Sequence, residues 1–302
     1  MTSPLSDSHG NFGPSTRAAV EAFQRQRGLR IDGIVGRHTW ATLVEAGLSL
    51  GDRLLYRAHP LLRGDDVADL QTRLCSLGFD TGRVDGIYGD NTTHAVAEFQ
   101  RNLKLPVDGI AGRITIEELA RMSSHRDNPA LVTTVREQAN RRNAKASLPG
   151  TRIGLISSPG LATVASATTR TLSTAGADVI AITGVNESEQ AQQANDHHVD
   201  LVVSIHLGTQ ARVAHYRSYS YESVEGQELS ALLATALDTV ADLNTMSEGM
   251  YLALLRETAM VAVVIELAPL DKVVEHAEEI AQAIALATTA WAAGPSAATS
   301  EI

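Results

Sequence analysis

The spacing of apolar residues changes character once along this chain, near residue 150. Before that point apolar positions recur three or four residues apart: Ala19, Val20 and Phe23, then Val67, Leu70, Leu74 and Leu77, then Ala95, Val96 and Phe99. Such spacing lines one face of an α-helix. After it come short unbroken apolar runs: IGLIS (153–157), DVIAIT (178–183), DLVVSIHLG (200–208) and AVVIEL (262–267). Runs of this length read as strands buried on both faces. Helical stretches separate them, one across Val164, Leu172 and Gly176, a polar one from Gln190 to Asn195, one holding Leu229, Leu232, Leu233 and Leu237, and one from Val273 to Trp291. The pattern predicts small all-α repeats followed by an α/β domain, its mostly parallel sheet covered by helices.

The helical half repeats itself. FGPSTRAAVEAFQRQRGLRIDGIVGRHTWATL at 12–43 returns about 76 residues later as YGDNTTHAVAEFQRNLKLPVDGIAGRITIEEL, with roughly half the positions identical. Gly-x-x-Thr enters a helix at Gly13–Thr16, Gly36–Thr39, Gly89–Thr92 and Gly112–Thr115, and each threonine is expected to serve as the helix N-cap. The turns IDGIVG (31–36), VDGIYG (84–89) and VDGIAG (107–112) pair an aspartate that bonds nearby backbone with a glycine in the left-handed region. These residues are read as structural, not catalytic. The helix from Gly64 to Gly78 precedes the second copy only; shifted back by the repeat offset it falls before Met1, leaving SHGNFG (8–13) as a worn form of the VDGIYG turn. Either the start is assigned late or a truncated copy covers its apolar face against the second repeat. The expected divisions are a truncated repeat over 1–47, a full repeat over 48–124, a linker over 125–150, the α/β domain over 151–292 and a disordered tail over 293–302.

Composition narrows the function classes. The 302 residues suffice for two or three domains, and 44% hydrophobic with 20% charged residues is ordinary for a globular protein. A net charge of -10 argues against a nucleic-acid partner, because no basic stretch can neutralise phosphates in series. The one cysteine, Cys75, lies on the Val67–Leu77 stripe and is read as a core filler. The amino terminus lacks the basic and apolar regions of a secretory signal, and no apolar stretch is long enough to span a membrane. The expected location is cytoplasmic, with no membrane insertion.

Two ionisable residues end apolar strands on the side where open α/β sheets place ligands: His206 in Ser-Ile-His and Glu266 after Val-Val-Ile. With the Pro159-Gly160 turn after the first strand and Ala194-Asn195, the segments DLVVSIH and VVIEL resemble the zinc-dependent N-acetylmuramoyl-L-alanine amidases of the type-3 fold. Behind peptidoglycan-binding repeats in this order, the chain is similar to the actinobacterial CwlM group, over about Gly10 to Trp291. In active members, the resemblance implies, a histidine of a Pro-Gly-His loop, a glutamate on the next helix and the Ser-Ile-His histidine hold zinc, and a glutamate near the last strand is the general base. Three protein ligands leave one position for a water that the metal acidifies for attack on an amide.

His206 matches the Ser-Ile-His ligand and Glu266 the catalytic glutamate, but Leu161 stands where the first histidine is expected. The loop carrying the glutamate ligand is absent, ATVASATT after Leu161 contains no acid, and Gly184 stands where an arginine is common. His206 and Glu266 are therefore read as vestigial metal and catalytic positions, hydrogen-bonded across the old pocket. Of the other histidines in this half, His197 and His198 lie at the far end of the strand from His206. His276 is read as a surface residue, and His215, on the strand after His206, is the only candidate for a relocated ligand. There is no Gly-x-Ser-x-Gly elbow and no glycine-rich phosphate loop. The resulting expectation is a catalytically inactive amidase-fold regulator or scaffold of peptidoglycan synthesis. Its expected partners are cell-wall synthesis proteins or peptidoglycan fragments, and it has no cofactor. In the CwlM group the resemblance implies control by Ser/Thr phosphorylation, for which Ser296, Thr299 and Ser300 match poorly. The alternatives are a working zinc amidase, cleaving between N-acetylmuramic acid and L-alanine, and a simple peptidoglycan-binding protein.

Overall fold

The computed structural model describes residues 7–123, 148–219 and 221–294. Most of the expected linker and tail, with the serines and threonine of the tail, lies outside the described residues. The chain divides into two compact units, one holding the helical repeats and one the α/β domain.

The first unit contains α1 (Pro14–Gln26), α2 (Arg37–Ala46), α3 (Asp65–Ser76), α4 (Asp90–Asn102) and α5 (Arg113–Ser123). Its core gathers Val67, Leu70 and Leu74 of α3 against Ala95, Val96 and Phe99 of α4, with Leu55, Tyr88, Ala111 and Leu119. Cys75 is buried in a separate small cluster with Ala68 and Val84. The turn glycines Gly33, Gly86 and Gly109 take φ of 69°, 68° and 67°, where a side chain is strained.

The threonines do not cap their helices. Gly13, Gly36 and Gly89 are the N-cap residues and make no side-chain cap, so the threonine three positions on lies inside the first turn. It is claimed by a glutamine instead. Gln24 Nε2 donates to Asp32 Oδ1 (2.7 Å), the Ile34 carbonyl (3.0 Å) and Thr39 Oγ1 (3.2 Å). Gln100 repeats the set with Asp108, Ile110 and Thr115, and Gln71 with Asp85, Ile87 and Thr92. The glutamine oxygen accepts from the turn amides, Gly33 N at 2.9 Å and Gly109 N at 3.0 Å. At the fourth site Asp7 takes the place of the glutamine, accepting from both the amide and the hydroxyl of Thr16 at 2.7 Å. Those bonds, the hydroxyl's foremost, hold the Asp7 carboxyl down at about 2.

The second unit is a six-stranded sheet in the order β2-β1-β3-β6-β4-β5. Its strands are β1 (Arg152–Ser157), β2 (Asp178–Ala181), β3 (Leu201–Leu207), β4 (Arg212–Tyr216), β5 (Met246–Met250) and β6 (Val261–Leu267). Among the strand pairs of the described residues, β4–β6 alone is antiparallel. Helices α6 (Ala162–Thr174), α7 (Glu187–Asp196), α8 (Val224–Ala241), α9 (Ala253–Glu257), α10 (Leu270–Glu275) and α11 (Ala277–Ala292) connect them. Side chains alternate across a sheet. Ile153, Leu155, Val203, Ile205, Val213, Val263 and Ile265 share one face. They pack with Val164 and Leu172 of α6, Leu229, Leu233 and Leu237 of α8, and Ile280 and Ile284 of α11. The other face meets α9, which packs on α7. Three details depart from expectation. The last helix breaks at His276 into α10 and α11, Leu232 points to solvent at 41% exposure, and Leu148, placed in the linker, is buried in this core.

Candidate functional site

The two strand-end residues do come together. β3 and β6 run parallel with His206 opposite Glu266, and β4 runs back along β6 with Arg212 opposite Glu266. Register partners in adjacent strands point to the same face. Ser204, His206, Glu266 and Arg212 therefore line one face at the carboxyl ends of β3 and β6, where a parallel sheet offers a ligand site. Gly208 lets the chain turn there, since a Cβ on it would lie 2.9 Å from Cβ of Glu266.

The partners of these side chains decide their chemistry. His206 Nε2 sits 2.6 Å from the hydroxyl of buried Ser204. Glu266 is buried, and its Oε2 lies 3.0 Å from Nε of Arg212. That nitrogen is out of line for a hydrogen bond, so the attraction to Glu266 is coulombic. The other end of the guanidinium donates to Glu248, Nη1 to Oε1 at 2.5 Å. A guanidinium thus stands between two carboxylates. Nothing in the sequence singles Arg212 out; its role appears only when antiparallel pairing sets it across from Glu266.

The positions that a zinc site would need are occupied otherwise. Leu161 is 2% exposed and belongs to the hydrophobic core, and Ala162 opens α6 directly behind it. Gly184 admits no side chain, because a Cβ would lie 2.6 Å from the backbone nitrogen of Gln190. Asn195 is structural, tying the end of α9 to the start of β6: its amide donates to the Glu257 carbonyl and its oxygen accepts from Ala259 N, both at 2.8 Å. Among the described residues no group of three or more His, Cys, Asp and Glu side chains could hold a metal ion. The donor set does not fit zinc.

His215 is no substitute ligand. Alternation puts it, with Val213, on the opposite face of the sheet from His206. There it is 2% exposed, with Nδ1 2.9 Å from Ser230 Oγ and Nε2 2.8 Å from Glu222 Oε1. Burial pushes its pKa below the usual histidine value, against the pull of Glu222. Ser, His and Glu in one chain of contacts invite a nucleophilic reading, but Ser230 is fully buried and already donates to the Gln227 carbonyl. His197 closes α7, and Arg152 of the β1 start reaches its carbonyl, which places it at the opposite end of the sheet from His206.

Among known proteins, residues 3–43 and 63–119 match the family model of the putative peptidoglycan binding domain. The chain is 46% identical over 136 residues to N-acetylmuramoyl-L-alanine amidase CwlM of Mycobacterium tuberculosis, which is 45% of this chain and 33% of that one. It is 40% identical over 77 residues to a spore cortex-lytic enzyme of Bacillus cereus, 26% of this chain and 30% of that one. The match thus spans about a third of the length of these relatives. Among solved structures, an N-acetylmuramoyl-L-alanine amidase from Clostridium difficile 630 aligns with 49% of this chain and 99% of its own, at 16% identity and a TM-score of 0.40. No described helix is long and apolar enough to cross a membrane.

Proposed function

We propose, on the premise of a CwlM-like chain with peptidoglycan-binding-type repeats ahead of an amidase-type α/β domain, that this protein recognises peptidoglycan or its fragments without hydrolysing them. Its α/β domain then serves as a scaffold or regulator in cell-wall synthesis, in the cytoplasm, through protein partners of that pathway. The observation that carries this reading is the state of Glu266. A general base needs a free lone pair within reach of the water it activates. Glu266 is buried beside the guanidinium of Arg212, and Leu161, where the first ligand histidine is expected, is buried in the core.

The Mycobacterium tuberculosis relative is named an N-acetylmuramoyl-L-alanine amidase, so the competing reading is a zinc-dependent hydrolase. Incubation of the purified chain with insoluble peptidoglycan and added Zn2+ separates the two. The chain is expected to sediment with the polymer while no new L-alanine amino termini are released. Release that is abolished in Glu266→Gln would establish the hydrolase instead. Retention on muropeptides with no protein captured from the native cytosol would favour a plain binding module.

A further inference from the structure

We propose that the three Asp-Gly turns, at Asp32, Asp85 and Asp108, are latent sites of isoaspartate formation that Gln24, Gln71 and Gln100 hold closed. An aspartate before glycine is prone to this change, because glycine puts no side chain in the way of ring closure. The glycine nitrogen attacks Cγ of the protonated aspartyl carboxyl. The nitrogen's proton and the carboxyl hydroxyl leave together as water, and a succinimide ring forms. Water then opens the ring at either carbonyl, giving back aspartate or leaving isoaspartate, whose main chain runs through the side-chain carboxyl. The fold cannot discard the labile pair. Gly33, Gly86 and Gly109 take φ of 69°, 68° and 67°, and a Cβ on Gly109 would lie 2.8 Å from Cγ2 of Thr93. The aspartate is needed as well, since its Oδ1 accepts the amide two positions on, from Ile34 and Ile87 at 2.8 Å and from Ile110 at 2.9 Å.

Each buried glutamine restrains both reacting groups. Its Oε1 accepts the glycine N–H, at 2.9 Å for Gly33, 2.8 Å for Gly86 and 3.0 Å for Gly109, so the attacking nitrogen keeps its proton. Its Nε2 donates to Oδ1 of the aspartate, at 2.7, 2.9 and 2.8 Å in the same order, which favours the ionised carboxylate over the reactive acid. At Asp32 the bond from the Ile34 amide foremost, and then that from Gln24, hold the carboxyl below its ordinary pKa. Ring closure therefore waits on local opening of the turn. The inference is independent of what the α/β domain does.

Three turns with three separate glutamines in one chain supply their own controls. The full chain is aged at pH 7.4 and 37 °C, and isoaspartate at each turn is measured by electron-transfer fragmentation of the three peptides. Folded wild type is expected to form it at least about tenfold more slowly at every turn than the same chain unfolded in guanidinium chloride. Gln100→Ala is expected to speed the change at Asp108 at least about fivefold, as the loss of one net hydrogen bond implies, and to leave Asp85 at the wild-type rate. Gln71→Ala is expected to do the reverse. A repeat that is merely destabilised would change faster at both turns, so parallel acceleration overturns the inference. A folded Gln100→Ala with no acceleration at Asp108 overturns it too, as does wild type that changes as fast folded as unfolded. Should Gln100→Ala not fold, Gln24→Ala is read in the same way, with acceleration expected at Asp32 alone.

Discussion

At the scale of single residues, polar side chains with buried partners decide more than the apolar ones around them. Gln100 satisfies the turn amides of Asp108 and Gly109 while donating to Asp108, Ile110 and Thr115. Gln100→Ala would strand several of these groups, and a buried unsatisfied polar group costs about 1–3 kcal/mol. A loss of about 2–4 kcal/mol in urea unfolding of the repeat unit is therefore expected, whereas an exposed control such as Arg113→Ala is expected to lose under about 0.5 kcal/mol. The Asp-Gly turns were legible in the sequence because their chemistry is local. The glutamine was not, although Phe-Gln-Arg is identical in both copies (Phe23–Arg25 and Phe99–Arg101), because its partners lie eight to fifteen residues away. Arg212 was hidden for the same reason, its partners lying on other strands.

His215 gives a pH test at this scale. Its pKa in the folded chain is lowered, chiefly by burial. The unfolded chain therefore binds the proton more readily, so the contribution is fully present above the ordinary histidine value. It is lost as pH falls from there towards the lowered folded value. Unfolding free energy measured from pH 7.5 down to 5.5 is expected to fall more steeply for wild type than for His215→Gln. Equal slopes would contradict the buried neutral state.

At the scale of elements, the two copies of the repeat share a sequence but not a burial pattern. Phe99 is 1% exposed and Leu119 0%, whereas the matching Phe23 is half-buried and Leu43 is 37% exposed. The difference follows from α3, which covers the second copy with Val67, Leu70 and Leu74 and has no counterpart before α1 among the described residues. Phe99→Ala is expected to cost about 3–5 kcal/mol and Phe23→Ala less than about 2 kcal/mol, read by urea denaturation of each variant. Equal losses would mean that the first copy is covered as well as the second. Strands were read well from the sequence where apolar residues cluster, as in β1, β3 and β6. β5, Met-Ser-Glu-Gly-Met, was missed because it carries no apolar run and owes its strand to pairing with β4. The threonines misled for a different reason: Gly-x-x-Thr fits a cap in isolation, but the glycine opens each helix and leaves the hydroxyl to the glutamine.

At the scale of the whole molecule, the fold was legible because repeat and strand-helix alternation are long-period patterns that many residues support. The site was legible in part: His206 and Glu266 stood out at the ends of apolar strands, and they meet across β3 and β6. Leu161 could be recognised as a poor ligand from its side chain alone, while its place in the core and the neutralisation of Glu266 by Arg212 required the three-dimensional arrangement. Repeats that match the putative peptidoglycan binding domain support the proposed role in recognition. The central claim is that the α/β domain holds no catalytic metal. Elemental analysis of the purified full chain, produced in zinc-replete medium and freed of adventitious ions by brief dialysis, tests it directly. Far less than one zinc per chain is expected, and a stoichiometric zinc lost in His206→Ala would contradict it.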